Sequence, residues 1–101
     1  MNELIYLPLV LKDLRDIIDY LVNTLKAPKA AADLIDALEK SLVRLQQFPY
    51  SCKLYQPQKK LGSEYRVMPV RNFLIFYVAT DTCVEIHRVV YGRVNAKNII
   101  K

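Results

Sequence analysis

At 101 residues, with 52% hydrophobic and 25% charged residues, the chain can form one core but not two, so we predict a single domain over residues 1–101 and exclude a disordered protein. The formal net charge of +5 is uneven, because residues 1–49 hold 6 basic and 7 acidic side chains whereas residues 50–101 hold 9 and 3. The basic second half predicts a nucleic acid or an acidic protein as a partner, and charge alone does not distinguish the two.

The N-terminal segment predicts a short strand over Leu4–Leu7. Pro8 follows and either ends this strand or begins a helix. Glu3 lies where a signal peptide would carry positive charge, and no small-residue cleavage pattern follows the apolar segment. We therefore expect a cytoplasmic protein.

Two amphipathic helices are predicted next, one over Leu9–Leu25 and one over Lys29–Phe48, separated by a break that contains Pro28. A short connection between two such helices predicts an antiparallel hairpin. Both apolar stripes are expected in the core. The first stripe is Val10, Leu14, Ile17, Ile18, Leu21 and Leu25, and the second is Ala31, Ile35, Leu38, Leu42 and Leu45.

Helical periodicity is lost over residues 50–62, which predicts a loop. The segment combines lysines with the aromatic residues Tyr50 and Tyr55. Its basic edge could be an ordinary solvated loop or a rim that faces phosphate.

The second half predicts three antiparallel strands, Tyr65–Val70, Phe73–Ala79 and Cys83–Tyr91, joined by connections of two and three polar residues. The middle strand is apolar on both faces, as in a central strand, and its apolar run is far shorter than the roughly 20 residues of a transmembrane helix. We expect no association with a membrane. The predicted fold is α+β, with one sheet packed on the helical hairpin and a short helix over residues 94–101 at the C-terminus.

Alternation along the last predicted strand directs Val84, Ile86 and Val90 toward the helices and Glu85, His87 and Tyr91 toward the opposite, more open face. That open face is where chemistry is expected. The same alternation places Arg88 among the apolar positions, a conflict that indicates function or a buried ion pair.

Cofactor and metal chemistry is not expected from the sequence. Cys52 and Cys83 together with the single His87 are too few for a zinc site, and we interpret the two cysteines as structural thiols. The chain has no P-loop, no glycine-rich dinucleotide motif and no Ser-His-Asp arrangement.

The order of one strand, two helices and a meander resembles the RelE/ParE superfamily of bacterial toxins, with the strongest likeness in EYRVMPVRNFLIFYV followed by VEIHRVVYGR. The resemblance implies a growth-arresting toxin of a type II toxin–antitoxin system. It also implies a cognate antitoxin whose acidic segment wraps the toxin in a hetero-oligomer, which fits the basic second half.

The resemblance implies two alternative activities: ParE-like inhibition of DNA gyrase, or RelE-like, metal-independent cleavage of mRNA on the ribosome. A ribonuclease would use Glu85 or His87 as the base and Tyr91 or His87 as the acid. Leu74 stands where ribonuclease members usually carry Arg, and Val90 precedes Tyr91, so we favour the gyrase inhibitor, closer to ParE-like members. The candidate catalytic residues for the ribonuclease alternative are Arg66, Arg71, His87, Arg88, Tyr91 and Arg93.

Several of these candidates also have structural interpretations. His87 could be a surface or hydrogen-bonded histidine of the sheet. Arg66 and Arg71 could form ordinary ion pairs with Glu64 or Asp81.

Overall fold

A computed structural model describes residues 2–55 and 64–92 of the chain. The α+β class predicted from the sequence is confirmed: the described residues form two helices and a four-stranded sheet. The C-terminal helix predicted for residues 94–101 lies outside the described residues. The elements are β1 (Glu3–Tyr6), α1 (Pro8–Asp19) with a π-helical turn (Tyr20–Thr24), α2 (Pro28–Gln47), β2 (Arg66–Val70), β3 (Phe73–Ala79) and β4 (Cys83–Tyr91).

The sheet has the strand order β1-β4-β3-β2. Strands β2, β3 and β4 form the predicted antiparallel meander, and Val70 pairs with Phe73 across a two-residue turn. Strand β1 pairs with β4 in parallel, which is possible because the helices and the first two strands of the meander separate them along the chain. The two edge strands are therefore β1 and β2.

The first helix begins with Pro8 at its first position, where a missing N–H costs nothing. It ends in a wider turn, in which the N–H of Leu25 donates to the carbonyl of Tyr20 at 3.0 Å. Lys26 then adopts a left-handed conformation, with φ of 54°, and the N–H of Ala27 donates to the carbonyl of Leu21 at 2.8 Å. Leu25 is exposed in this turn, so its predicted place in the core is wrong.

The second helix buries a stripe that differs at one position from the prediction. Leu34 is buried and Ile35 is 43% exposed. The buried residues recur at spacings of three or four, as the stripe through Ile35 also does, so periodicity alone does not distinguish Leu34 from Ile35. They are Ala31, Leu34, Leu38, Leu42 and Leu45.

Apolar side chains cover both faces of β3, as predicted for a central strand. Ile75 and Tyr77 belong to the main core with both helices, whereas Leu74 and Phe76 pack on the opposite face. On that face the ring of Tyr55 meets Phe76 edge to face, with 5.2 Å between centroids.

The outer edge of β2 is partly covered by the first residues of the predicted loop. The N–H of Tyr55 donates to the carbonyl of Tyr65 at 2.7 Å, and the N–H of Val67 donates to the carbonyl of Lys53 at 3.1 Å. Pro69, two residues beyond Val67, occupies the next outward-facing position and has no N–H to present there.

An irregularity in β4 changes which side chains face the helices. Tyr77 of β3 pairs with Ile86, whereas the adjacent Phe76 pairs with Arg88, so His87 is an extra residue in a β-bulge. Alternation restarts after the bulge: Val89 joins the main core and Val90 joins the cluster on the opposite face. The predicted orientations of Val90 and Tyr91 are therefore wrong, because a single inserted residue reverses the pattern.

Candidate functional site

Arg88 forms a two-point ion pair with Asp13 of α1. Its Nε and Nη2 atoms donate to the two carboxylate oxygens at 2.7 and 2.9 Å, and the N–H of Val89 donates to the same carboxylate at 3.1 Å. The hydrogen bond to Asp13 raises the pKa of Arg88, and both side chains are mostly buried. Of the two explanations that the sequence left open for Arg88, function or a buried ion pair, the structure shows the ion pair. The Asp13 carboxylate also takes the place of a strand partner for the Val89 N–H, beyond the end of β1.

Arg71 forms a second two-point pair, with Asp33 of α2. The distances are 2.7 and 3.0 Å, and both side chains are more than half exposed. The partners suggested by the sequence, Glu64 and Asp81, are wrong for Arg71, because the hairpin turn brings it beside α2 instead. Arg71 has a φ of 54° in this turn.

Arg66 holds the segment that follows α2. Its guanidinium donates to the carbonyl of Cys52 at 2.7 Å and lies 5.0 Å from the centroid of the Tyr50 ring. Here too the suggested carboxylate partners are wrong. Beside it, the hydroxyl of Tyr77 donates to the carbonyl of Pro49 at 3.1 Å, and burial raises the pKa of this tyrosine.

Glu85 and His87 form a hydrogen-bonded chain with Tyr65 on the face opposite the helices. His87 Nε2 lies 3.2 Å from Glu85 Oε1, and Nδ1 lies 3.2 Å from the Tyr65 hydroxyl. Because a carboxylate only accepts, the neutral imidazole carries its proton on Nε2 and accepts the Tyr65 proton at Nδ1. The chain can polarise the Tyr65 hydroxyl, a residue that the sequence did not single out for chemistry.

Tyr91 lies on the helix side of the sheet, with its ring 5.8 Å from that of Phe73. Both line a cavity of about 660 Å³ between α1 and the end of the sheet, and the Arg88–Asp13 pair forms part of its wall. Arg93 lies outside the described residues.

The predicted catalytic residues are thus not brought to one face. Arg66, Arg71 and Arg88 each bind a neighbouring segment or a helical aspartate, whereas Glu85 and His87 lie together on the opposite face. The side chains of the three arginines hold the sheet to the rest of the fold. Sequence alternation could not reveal this, because the bulge and the positions of the helical aspartates depend on tertiary packing.

An apolar groove of about 240 Å³ lies between the two helices, above the sheet. Leu11 of α1, Ile35 of α2 and Tyr6 of β1 are all more than 40% exposed at its rim. Among the described residues, Glu39 is the single charged residue that lines the groove. Burial, followed by the charge of Glu39, raises the pKa of Tyr6. Such a groove fits an apolar peptide segment.

The groove adjoins the outer edge of β1. The N–H of Leu7 donates to the carbonyl of Ile86, so alternation turns the N–H groups of Leu4 and Tyr6 away from β4. In the part of the chain that the structure describes, no strand pairs with this side of β1. An extended segment could add there as a fifth strand.

Membrane-spanning helices and metal-ligand clusters were searched for in residues 2–55 and 64–92 only. No helix in these ranges is long and apolar enough to cross a membrane. No three His, Cys, Asp or Glu side chains in the same ranges come together as metal ligands would.

The fold is shared with a solved structure. A solved structure described as the chromosomal ParDE TA system from P. aeruginosa matches with a TM-score of 0.69, at 20% sequence identity, over 90% of this chain and 96% of that chain. At this identity the likeness establishes the shared fold alone.

The family is established by sequence. Residues 4–95 match the family described as ParE toxin of type II toxin-antitoxin system, parDE. The match spans nearly the whole chain, so the protein belongs to the ParE toxin family, and the resemblance to ParE-like members is confirmed. No curated protein matches the chain.

Proposed function

We propose that this ParE-family toxin arrests growth by inhibiting DNA gyrase in the cytoplasm, that it acts by binding and not by cleavage, and that a cognate antitoxin neutralises it. The observation that carries the choice of mechanism is the engagement of the arginines. Arg66, Arg71 and Arg88 are all held by groups of the fold other than the acid–base pair Glu85 and His87.

Cleavage of RNA without a metal needs cations that stabilise the negative charge of the phosphorane. At the central-strand position where an arginine would supply such a charge, Leu74 packs beside Phe76 and Val90. The chain Glu85–His87–Tyr65 supplies acid–base groups and is the one observation that favours the alternative, a ribosome-dependent mRNA endoribonuclease.

The groove between α1 and α2 is the surface that we assign to the antitoxin. Its rim is apolar, and beside it the edge of β1 that no described strand covers offers backbone hydrogen bonds. An antitoxin segment would place apolar residues in the groove, and its acidic residues would meet the basic second half of the toxin. The resulting complex is a hetero-oligomer.

A charge in the groove should break this complex. We expect Ile35→Glu to weaken antitoxin binding at least tenfold, because the carboxylate would be desolvated in an apolar site beside Glu39. Val43→Glu is the matched control, because Val43 lies on the same helix, is 49% exposed and does not line the groove. Calorimetric titration with the purified cognate antitoxin measures its affinity for each of the two variants. Equal affinities would contradict the assignment of the groove.

The target is tested by induction of the toxin in a bacterium without the antitoxin gene. Gyrase inhibition predicts a DNA-damage response while translation continues. Ribonuclease activity predicts immediate translation arrest and mRNA fragments with 2′,3′-cyclic phosphate ends, which would overturn the proposed mechanism.

A further inference from the structure

The cavity between α1 and the end of the sheet plays no part in the proposed function. Its volume of about 660 Å³ lies within the range of roughly 300–1,000 Å³ that is usual for ligand pockets. One wall is formed by α1 and its π-helical turn, and the other by the first residues of β3 and the last residues of β4. The cavity is large enough to take a side chain of a partner protein.

Three aromatic rings line the cavity, and they come from both walls. Tyr20 lies on the π-helical turn, whereas Phe73 and Tyr91 lie on the paired strands and meet edge to face, with 5.8 Å between centroids. Tyr20 and Tyr91 are 52% and 41% exposed. Because the faces of aromatic rings carry partial negative charge, such a lining attracts cations.

The charged residues of the lining leave a net negative charge. They are two acidic residues, Asp13 and Asp16, and one basic residue, Arg88. The two-point pair uses both carboxylate oxygens of Asp13 and neutralises Arg88, so Asp16 supplies the remaining charge. Although the chain as a whole carries a formal charge of +5, this wall therefore favours a cation over an anion.

The carboxylate of Asp16 is accessible to a second cation. Lys12, one helical turn earlier, donates to Oδ2 of Asp16 at 2.9 Å, and the two side chains are 68% and 63% exposed. Exposed pairs of this kind are weak, and a carboxylate offers about four acceptor sites. An incoming cation can therefore share Asp16 with Lys12 or displace it.

We propose that this cavity binds an arginine side chain of a protein partner, with the guanidinium among the rings and hydrogen-bonded to Asp16. The aliphatic stem of the arginine lies against Ile17 and Leu21, which also line the cavity. Arginine fits better than lysine, because its planar guanidinium stacks on rings and donates two parallel hydrogen bonds to a carboxylate. The proposal depends neither on the target of the toxin nor on the assignment of the groove.

Titration of the purified chain with capped tripeptides, followed by NMR, tests the proposal. Each peptide carries two leucines around a central arginine, lysine or citrulline, and citrulline is the uncharged analogue of arginine. The methyl signals of Ile17 report on the cavity, and those of Ile35 report on the groove. We expect the arginine peptide to shift the Ile17 signals and to bind about tenfold more tightly than the citrulline peptide, with the lysine peptide between them.

Two aspartates provide a matched pair of substitutions. Asp16→Asn removes the net charge of the cavity wall and should weaken binding of the arginine peptide about threefold. Asp36→Asn is the control, because Asp36 forms the same kind of exposed pair, with Lys40 at 3.0 Å, and does not line the cavity. This control should bind as the wild type does. Tyr20→Leu keeps apolar bulk but removes the ring, and should also weaken binding of the arginine peptide about threefold.

Equal affinities for the arginine and citrulline peptides would overturn the proposal, as would shifts of the Ile35 signals without shifts of the Ile17 signals. Equal weakening by Asp16→Asn and Asp36→Asn would also overturn it, because net charge alone would then explain the attraction. Urea unfolding midpoints establish that the variants are folded. The assay contains neither gyrase nor antitoxin, so its failure leaves the proposed function unaffected.

Discussion

Two arginine–aspartate pairs of the same geometry join the sheet to the helices, and their burial differs. The side chains of Arg88 and Asp13 are 20% and 11% exposed, whereas those of Arg71 and Asp33 are 54% and 56% exposed. Exposed pairs contribute little because water screens them, whereas loss of one partner from a buried pair leaves an uncompensated charge.

We therefore predict unequal costs for two matched substitutions. Asp13→Ala should lower the free energy of unfolding by about 3 kcal/mol, since it leaves Arg88 unpaired and removes the acceptor of the Val89 N–H. Asp33→Ala should cost less than about 1 kcal/mol. Urea unfolding of both variants measures the difference, and equal losses would contradict this account of Arg88 as a structural residue.

Tyr77 predicts a dependence of stability on alkaline pH. Burial raises its pKa in the folded protein above the ordinary value, so its contribution to stability is complete below about pH 10 and is lost as pH rises further, when the unfolded phenol ionises first. Tyr77→Phe should lose about 1 kcal/mol near pH 7 through the hydrogen bond to Pro49.

The difference in stability between wild type and Tyr77→Phe should then narrow above about pH 10, because phenylalanine does not titrate. Urea unfolding at neutral and alkaline pH measures this difference for both proteins. If the difference in the free energy of unfolding stayed constant with pH, ionisation of Tyr77 would not affect stability, which would contradict this prediction.

Among the elements, the strands were predicted almost to the residue, because alternation and polar turns are local signals. The start of the first helix was predicted correctly, but its apolar stripe was continued one residue too far, to Leu25. The π-helical turn and the left-handed conformation of Lys26, which end the helix, leave no mark in the periodicity of the sequence. Ile35 was assigned to the core although it lines an exposed groove.

The candidate site was less predictable than the fold, for a physical reason. One extra residue at His87 reverses the faces of Val90 and Tyr91, and a bulge leaves no mark in a pattern of apolar residues. The partners of Arg71 and Arg88 come from helices 38 and 75 positions away in the chain, so only tertiary structure identifies them.

The edge strand β2 provides a prediction about association. Pro69→Val would restore an N–H at an outward-facing position, and we expect larger species in sedimentation velocity than for the wild type, because unpaired edges template further strands. Pro69→Lys restores the same N–H but adds charge that opposes edge pairing, so it should sediment as the wild type does. An unchanged profile for Pro69→Val would contradict a protective role of this proline.

The molecule as a whole presents two different surfaces. The helices and β1 offer an apolar groove, and the opposite face of the sheet carries the chain Glu85–His87–Tyr65. Most of the arginines that suggested catalysis serve the fold instead. This arrangement favours a toxin that acts by binding.

The most direct measurement combines two assays on one preparation of the purified toxin: supercoiling by gyrase, with scoring of stabilised cleavage complexes, and mRNA cleavage on translating ribosomes. We predict inhibited supercoiling, accumulated cleavage complexes and intact mRNA, with the same inhibition by a Glu85→Gln, His87→Gln double variant that lacks these two acid–base side chains. Unchanged gyrase activity together with mRNA cleavage that the double variant loses would contradict the account.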